Sequence, residues 1–311
     1  MRELVSEFVP VADEVHRLQK GKTADARLFQ GFCEEGHYGG RTKPTDTRQG
    51  IYACTASGRF LASVNTRHPD AMVRMLEKAL ANFAALEEGD RVSSPELLEA
   101  LGTVQRAEDR FPVDGLVLRV ASKDMPGTKT REGWHEAASN LDWAWFQKSE
   151  ARDFLPEEFE VGQTRAVPKA LVERLVRFHL LDNVRGQTTP FGRKEVRIAK
   201  LESKIECVEE SFVDVRFSGA TLAMHDEGPW ARGFETKLEG VARWDRANGR
   251  FTRFELVAKG DRWGRTQYNA RAPERDREAL FEREPIAVLF EVVGGPELQR
   301  VAPAHFWGYG W

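Results

Sequence analysis

Phe234-Glu235-Thr236-Lys237-Leu238-Glu239-Gly240-Val241-Ala242-Arg243-Trp244 changes character at every second residue. Phe234, Thr236, Leu238, Gly240, Ala242 and Trp244 share one parity, against Glu235, Lys237, Glu239 and Arg243. Side chains of a strand point alternately to opposite faces, so this period predicts a strand with one buried and one wet face. Residues 245–249 are rich in turn formers, and Phe254, Leu256 and Ala258 return the alternation on a second strand. Upstream, Val213, Val215 and Phe217 repeat the pattern, as do Leu116, Leu118 and Val120 further back. Downstream, Ile286, Val288, Phe290 and Val292 predict a closing strand. Val196 and Ile198 differ in parity from Leu201, Ile205 and Cys207, which places a bulge near residues 199–200. A helical period runs over residues 168–182, with Leu171, Leu175 and Phe178 on one side and Val172 and Val176 beside them. Glycines at 186 and 192 break it off. The pattern predicts a meandering antiparallel sheet, curved over the 168–182 helix or closed into a partly open barrel. Residues 125–167, with three tryptophans among many turn formers, resist assignment.

The first part of the chain alternates helix and strand. Residues 8–12 (Phe-Val-Pro-Val-Ala) predict a short buried strand, with Pro10 suiting an edge. A helix-favouring stretch over 13–33 follows, then a loop with Gly36, Gly39, Gly40 and Pro44. Residues 51–55 and 60–64 form a hairpin pattern around Ser57 and Gly58. Pro69 suits a first helical position and Asp70 its first turn, with Val73, Leu76, Leu80 and Phe83 on one face. A polar segment over 87–92 leads to a short helix opened by Ser94 and Pro95. The fold class is therefore α+β. A small α/β module over 1–90 and a linker with a short helix over 91–112 precede a larger β-rich domain over 113–311.

The order strand, helix, hairpin, helix resembles the second half of a thioredoxin fold. Residues 8–13 stand for its central strand, Gln49-Gly50-Ile51-Tyr52 opens the hairpin, and the helix over 69–83 follows. The likeness covers the first quarter to third of the chain and is closest to divergent bacterial thioredoxin-like modules. The resemblance puts the redox Cys-x-x-Cys of the family upstream of Met1, and Thr47-Arg48-Gln49 stands where the family has a cis-proline. Disulfide exchange needs an exposed, low-pKa thiolate with a resolving partner. The resemblance thus implies a fold more than an activity.

Composition narrows the function classes. The 311 residues carry 46 basic and 49 acidic side chains, for a net charge of −3, with both signs interleaved. No one-sided basic field marks a nucleic-acid partner. No apolar run is long enough to cross a bilayer and no secretory signal opens the chain, so the expected compartment is the cytoplasm. The cysteines Cys33, Cys54 and Cys207 form no CxxC and no zinc spacing, and no cofactor motif is present.

Four constellations remain. Cys33 with His37 is a candidate thiol and base, although Glu34 and Glu35 disfavour a thiolate; the alternative is a buried helix-end cysteine. Cys54 reads as core packing. His225, Asp226 and Glu227 are candidate metal ligands or a solvated turn. Gly39 and Gly40, with Arg41 and Lys43, form a candidate anion loop or a plain one. Trp244, Arg253, Arg262, Trp263 and Arg265 interleave arginine with tryptophan, as a stacking site for an anionic, aromatic or sugar-like ligand would. Core rings with snorkelling arginines are the alternative. The aromatic stretch 306–311 is expected to dock back on the protein or on a second copy. These observations favour a binding or interaction protein with a small-molecule ligand or a protein partner; a thiol-dependent oxidoreductase working through Cys33 is the alternative.

Overall fold

The computed structural model describes residues 2–13, 15–37, 48–66, 68–128, 134–271, 282–292 and 300–311. Its contacts divide the chain into two compact units, Met1–Arg106 and Ala107–Trp311. The architecture is mixed α+β, dominated by a large antiparallel sheet. Among the described residues no helix is long and apolar enough to cross a membrane.

The first unit contains α1 (Arg2–Val5), α2 (Val15–Lys20), α3 (Ala24–Glu35), a hairpin of β1 (Ile51–Cys54) and β2 (Phe60–Val64), then α4 (Pro69–Ala84), α5 (Glu88–Arg91) and α6 (Pro95–Gly102). The hairpin turn is closed by Thr55 and Arg59, with Gly58 at φ 84°. Ala53, Leu61 and Ala62 pack on Met75, Leu76 and Ala79 of α4. The buried face of α4 thus centres on Met75 and Ala79, and Phe83 lies outside it with Arg91 over its ring. Residues 8–12 are no strand, contrary to the sequence pattern: Val9 and Val11 are 88% and 84% exposed. Without a neighbouring strand to supply ladder hydrogen bonds, the apolar run at 8–12 has no face to bury. The 13–33 stretch is two helices, interrupted at Gly21. Cys54, expected in the core, is exposed, because it falls on the opposite parity from the buried Ala53.

In the second unit, β3 (Leu116–Asp124), α7 (Trp134–Ala137), β4 (Ser139–Phe146), α8 (Lys148–Arg152), β5 (Thr164–Ala166) and α9 (Lys169–Phe178) precede four long strands and a shorter one. These are β6 (Val196–Val208), β7 (Phe212–His225), β8 (Arg232–Asp245), β9 (Arg250–Gly264) and β10 (Glu284–Val292). The sheet order is β4-β3-β10-β9-β8-β7-β6-β5, antiparallel throughout. The expected closing strand β10 therefore lies mid-sheet, between β3 and β9. Register shifts in β6 fall at 196–198 and 205–207, on either side of the expected 199–200, so that Leu201, Ser203 and Ile205 stay buried in phase. At Gly260 a Cβ would lie 2.0 Å from the Glu235 carbonyl oxygen of β8, so only glycine permits this close approach of the two strands.

The inner face of the sheet packs on α8, α9 and the chain that follows each. Leu171, Val172, Leu175, Val176 and Phe178 of α9 are buried, as are Phe154, Phe217 and Phe254, which meet edge to face or tilted. Each such side chain contributes roughly 1.5–3 kcal/mol by leaving water. The expected helix end at residue 182 is too late. α9 stops at Phe178, because the residues that follow turn their polar side chains onto β3 and β4 instead of continuing the turns. Residues 306–309 dock on the same unit: Phe306 is 2% exposed and meets the fully buried Trp145, whereas Trp307 stays exposed.

Candidate functional site

Asp124 closes β3 on the inward parity of Leu118, Val120 and Ser122, and Arg262 of β9 and Glu284 of β10 are likewise buried. The chain beyond α9 adds Asp182 and Arg185, and the chain beyond β9 adds Asn269 and Arg271. Two backbone devices bring these stretches together. Gly186 lets residue 268 approach so closely that a Cβ would sit 1.8 Å from the Tyr268 carbonyl oxygen, and Ala270 adopts φ 49°, an uncommon left-handed turn just before Arg271.

Arg271 is the hub. It donates to both oxygens of Asp124 at 2.8 Å and to Asp182 at 2.7 and 2.5 Å. Arg185 donates to Asp124 at 2.9 Å, Asn269 donates to Asp182 at 3.3 Å, and Arg262 is ion-paired with Glu284. Burial works to raise the Asp124 pKa, but the hydrogen bonds and charge of Arg271, with Arg185 and Arg262, outweigh it and hold the pKa low. Burial also works to lower that of Arg271, and Asp182 and Asp124 more than offset it. Arg262 is pushed down to about 10, chiefly by burial. Three guanidinium groups thus face three carboxylates, and every oxygen of Asp124 and Asp182 accepts a hydrogen bond. A carboxylate so engaged is a clamp between segments rather than a general base.

A second buried array lies between β4 and α9. Asp142 accepts from His179 Nδ1 at 3.0 Å and from the Ala304 amide at 2.9 Å, while the Tyr309 hydroxyl lies in hydrogen-bonding contact with His179 Nε2 at 2.5 Å. Burial would raise the Asp142 pKa; the bond and charge of His179 lower it below the ordinary value. Burial drives the Tyr309 phenol well above its ordinary pKa. Arg174 stacks over the rings of Phe146, Tyr309 and Trp311 and donates to Glu150. The Asp–His–Tyr chain therefore ties Ala304 and Tyr309 to the sheet.

The outer face is different. Strand register aligns Leu141, Ala121, Leu289 and Val257 side by side across β4, β3, β10 and β9. Leu141 is 58% and Val257 40% exposed. The next row along the strands holds Ser139, Lys123, Ala287 and Lys259 in the same four columns. A shallow groove is lined by Ala121, Lys123, Leu141, Val257, Ala287 and Leu289.

The residues singled out from the sequence do not gather. Trp244 is in the core against Phe251, at 4.9 Å, and Arg253 is paired with Glu255 on the surface near that end of the β8–β9 hairpin. Arg262, Trp263 and Arg265 lie toward the far end, with Arg262 in the ion network, Trp263 under Arg283 and Arg265 over Trp230. His225 bonds Glu195 at 2.5 Å and Asp226 bonds Arg197 at 3.0 Å, so these two side chains are already engaged; Glu227 is exposed beside them. Among the described residues no group of three His, Cys, Asp or Glu side chains is placed to hold a metal. Cys33 is fully buried, and burial, ahead of the opposing Tyr52 and Arg48, pushes its thiol up. His37 bonds the Ser63 hydroxyl at 2.7 Å and stacks on Tyr52. Gly39, Gly40, Arg41 and Lys43 lie outside the described residues.

The sequence reading missed both buried arrays and the outer row. Parity carries a signal for some of them: Asp124, Arg262 and Glu284 fall in phase with inward apolar residues, where a charge requires a partner. Comparison with family models, curated proteins and solved structures returned no match for this chain.

Proposed function

We propose that the protein binds a small apolar ligand on the solvent face of its eight-stranded sheet. The observation that carries this reading is the row Leu141, Ala121, Leu289 and Val257. The wet face of an antiparallel sheet is normally polar, and a contiguous apolar row left in water favours a surface meant to be covered. The buried charges support the same division of labour, since they fix the inner face without presenting a group to a substrate. A thiol-dependent oxidoreductase is less well supported, because Cys33 is buried with a raised pKa. The thioredoxin-like reading of the first unit rests on the hairpin and α4 alone, and it lends the proposal no chemistry.

The test uses the neutral dye N-phenylnaphthylamine with the full chain. Its fluorescence is expected to rise on binding, and the Leu289→Asp variant, checked for folding by circular dichroism, is expected to lose that rise. Equal enhancement by both proteins, or none by the native one, sinks the proposal.

A further inference from the structure

We infer that the ligand of the outer groove is an amphiphilic anion, a medium-chain carboxylate whose head sits between Lys123 and Lys259 and whose chain lies along Leu289, Ala121 and Leu141. This inference rests on the reading of the groove as a ligand site. Lys123 pairs in register with Ala287 on one side, and Lys259 pairs with Ala287 on the other. At about 4.8 Å between neighbouring strands, the two lysines stand roughly 10 Å apart at their backbones. The residue between them is reduced to a methyl group, which leaves room for a head group. Both lysines are exposed, and among the described residues neither forms an ion pair, whereas the nearby cations Arg119 and Arg253 do.

Geometry also puts an apolar floor beside the charge. The row Leu141, Ala121, Leu289 and Val257 runs directly alongside the lysine row, across a width of roughly 14 Å at the strand spacing. Beyond it, the Arg119–Glu291 pair forms the far wall, with its charges already matched. Glu255 is likewise matched, by Arg253. On the β8 side Lys237 stands in register beside Lys259, so the cationic row extends across the head-group site, while Glu239 flanks the apolar row beside Val257. Lysine stems lying over apolar neighbours with their ammonium groups in water suit an amphiphile better than a purely polar anion.

Isothermal titration of the full chain with decanoate, decanol and decyltrimethylammonium, each below its micelle concentration, separates the two layers of the argument. Decanoate is expected to bind tightest and the cation weakest, with added salt weakening decanoate alone. Replacing Lys123 and Lys259 by Gln is expected to weaken decanoate by about fivefold for each lysine and to leave decanol unchanged. Equal binding of decanoate and decanol, or a double variant that still prefers decanoate, overturns the anion while leaving the apolar groove standing. Failure of all three, together with no dye response, overturns the groove itself. A concentration-dependent dimer in sedimentation that Leu141→Asp abolishes overturns the inference in favour of a second copy of the chain.

Discussion

Each face of the eight-stranded sheet departs locally from the usual rule. The inner face, sealed by α9 and the segments beyond it, holds Asp124, Asp142, Arg262 and Glu284 among its leucines and phenylalanines. The outer face, covered by Phe306 near Val117 and Trp145, carries a row of apolar side chains in water. Polarity is therefore not sorted by burial alone. Charges on the inside are tolerated because each has a partner at hydrogen-bonding or ion-pairing distance. Breaking one partner differs from replacing the whole group, because it leaves an uncompensated charge in a dry site.

That contrast is most exposed at Asp124, the carboxylate shared by Arg185 and Arg271. Asp124→Ala is expected to cost about 3–5 kcal/mol of unfolding free energy, measured by urea denaturation. A loss well under that range would mean that water reaches the guanidinium groups and that the inner face is not dry. Next in size is the response to acid. His305 has its pKa lowered by burial, and Asp124 and Asp142 have theirs lowered by their cationic partners against the pull of burial. For each of these groups the stability is present above its unfolded pKa and is lost as pH falls through its folded one. The unfolding free energy should therefore decline first below about pH 6.5, through His305, and again below about pH 4, through the aspartates. His305→Gln should remove the upper step alone; a decline that starts only with the aspartates would mean that the half-buried His305 keeps its ordinary pKa. The smallest effect belongs to the outer face. Leu289→Asp should change stability by no more than about 0.5 kcal/mol, as surface substitutions do, and a larger loss would make the apolar row part of the core.

Much of this inner and outer division was legible in the alternation of residues 234–258, and α9 in the spacing of Leu171, Leu175 and Phe178. Period-two and helical patterns are local, so they survive without knowledge of partners. Residues 8–12 failed for the complementary reason: an apolar pentapeptide is a strand only where another strand pairs with it. The insertion of β10 beside β3 left no trace, since register between segments so far apart is set by packing. The ion network unites side chains from residue 124 to residue 284, and no spacing rule spans that range. Only the inward parity of Asp124, Arg262 and Glu284 hinted at it. The outer row was written into Leu141, Ala121, Leu289 and Val257, yet it becomes a row only once four strands lie in register.

The place of β10 also governs the order in which the sheet can assemble. β6 to β9 form a meander of neighbours in sequence and can pair as soon as each hairpin is made. β3 and β4 pair early with each other, but they join the meander only through β10, whose Ile286 meets Asp124. During synthesis the β3–β4 pair must wait, with the inward side of Val120 and Ala144 uncovered, until β10 has emerged after β6 to β9. The sheet is thus sealed by a late central strand, and the interval before that event is when this protein is most open to aggregation and to chaperones.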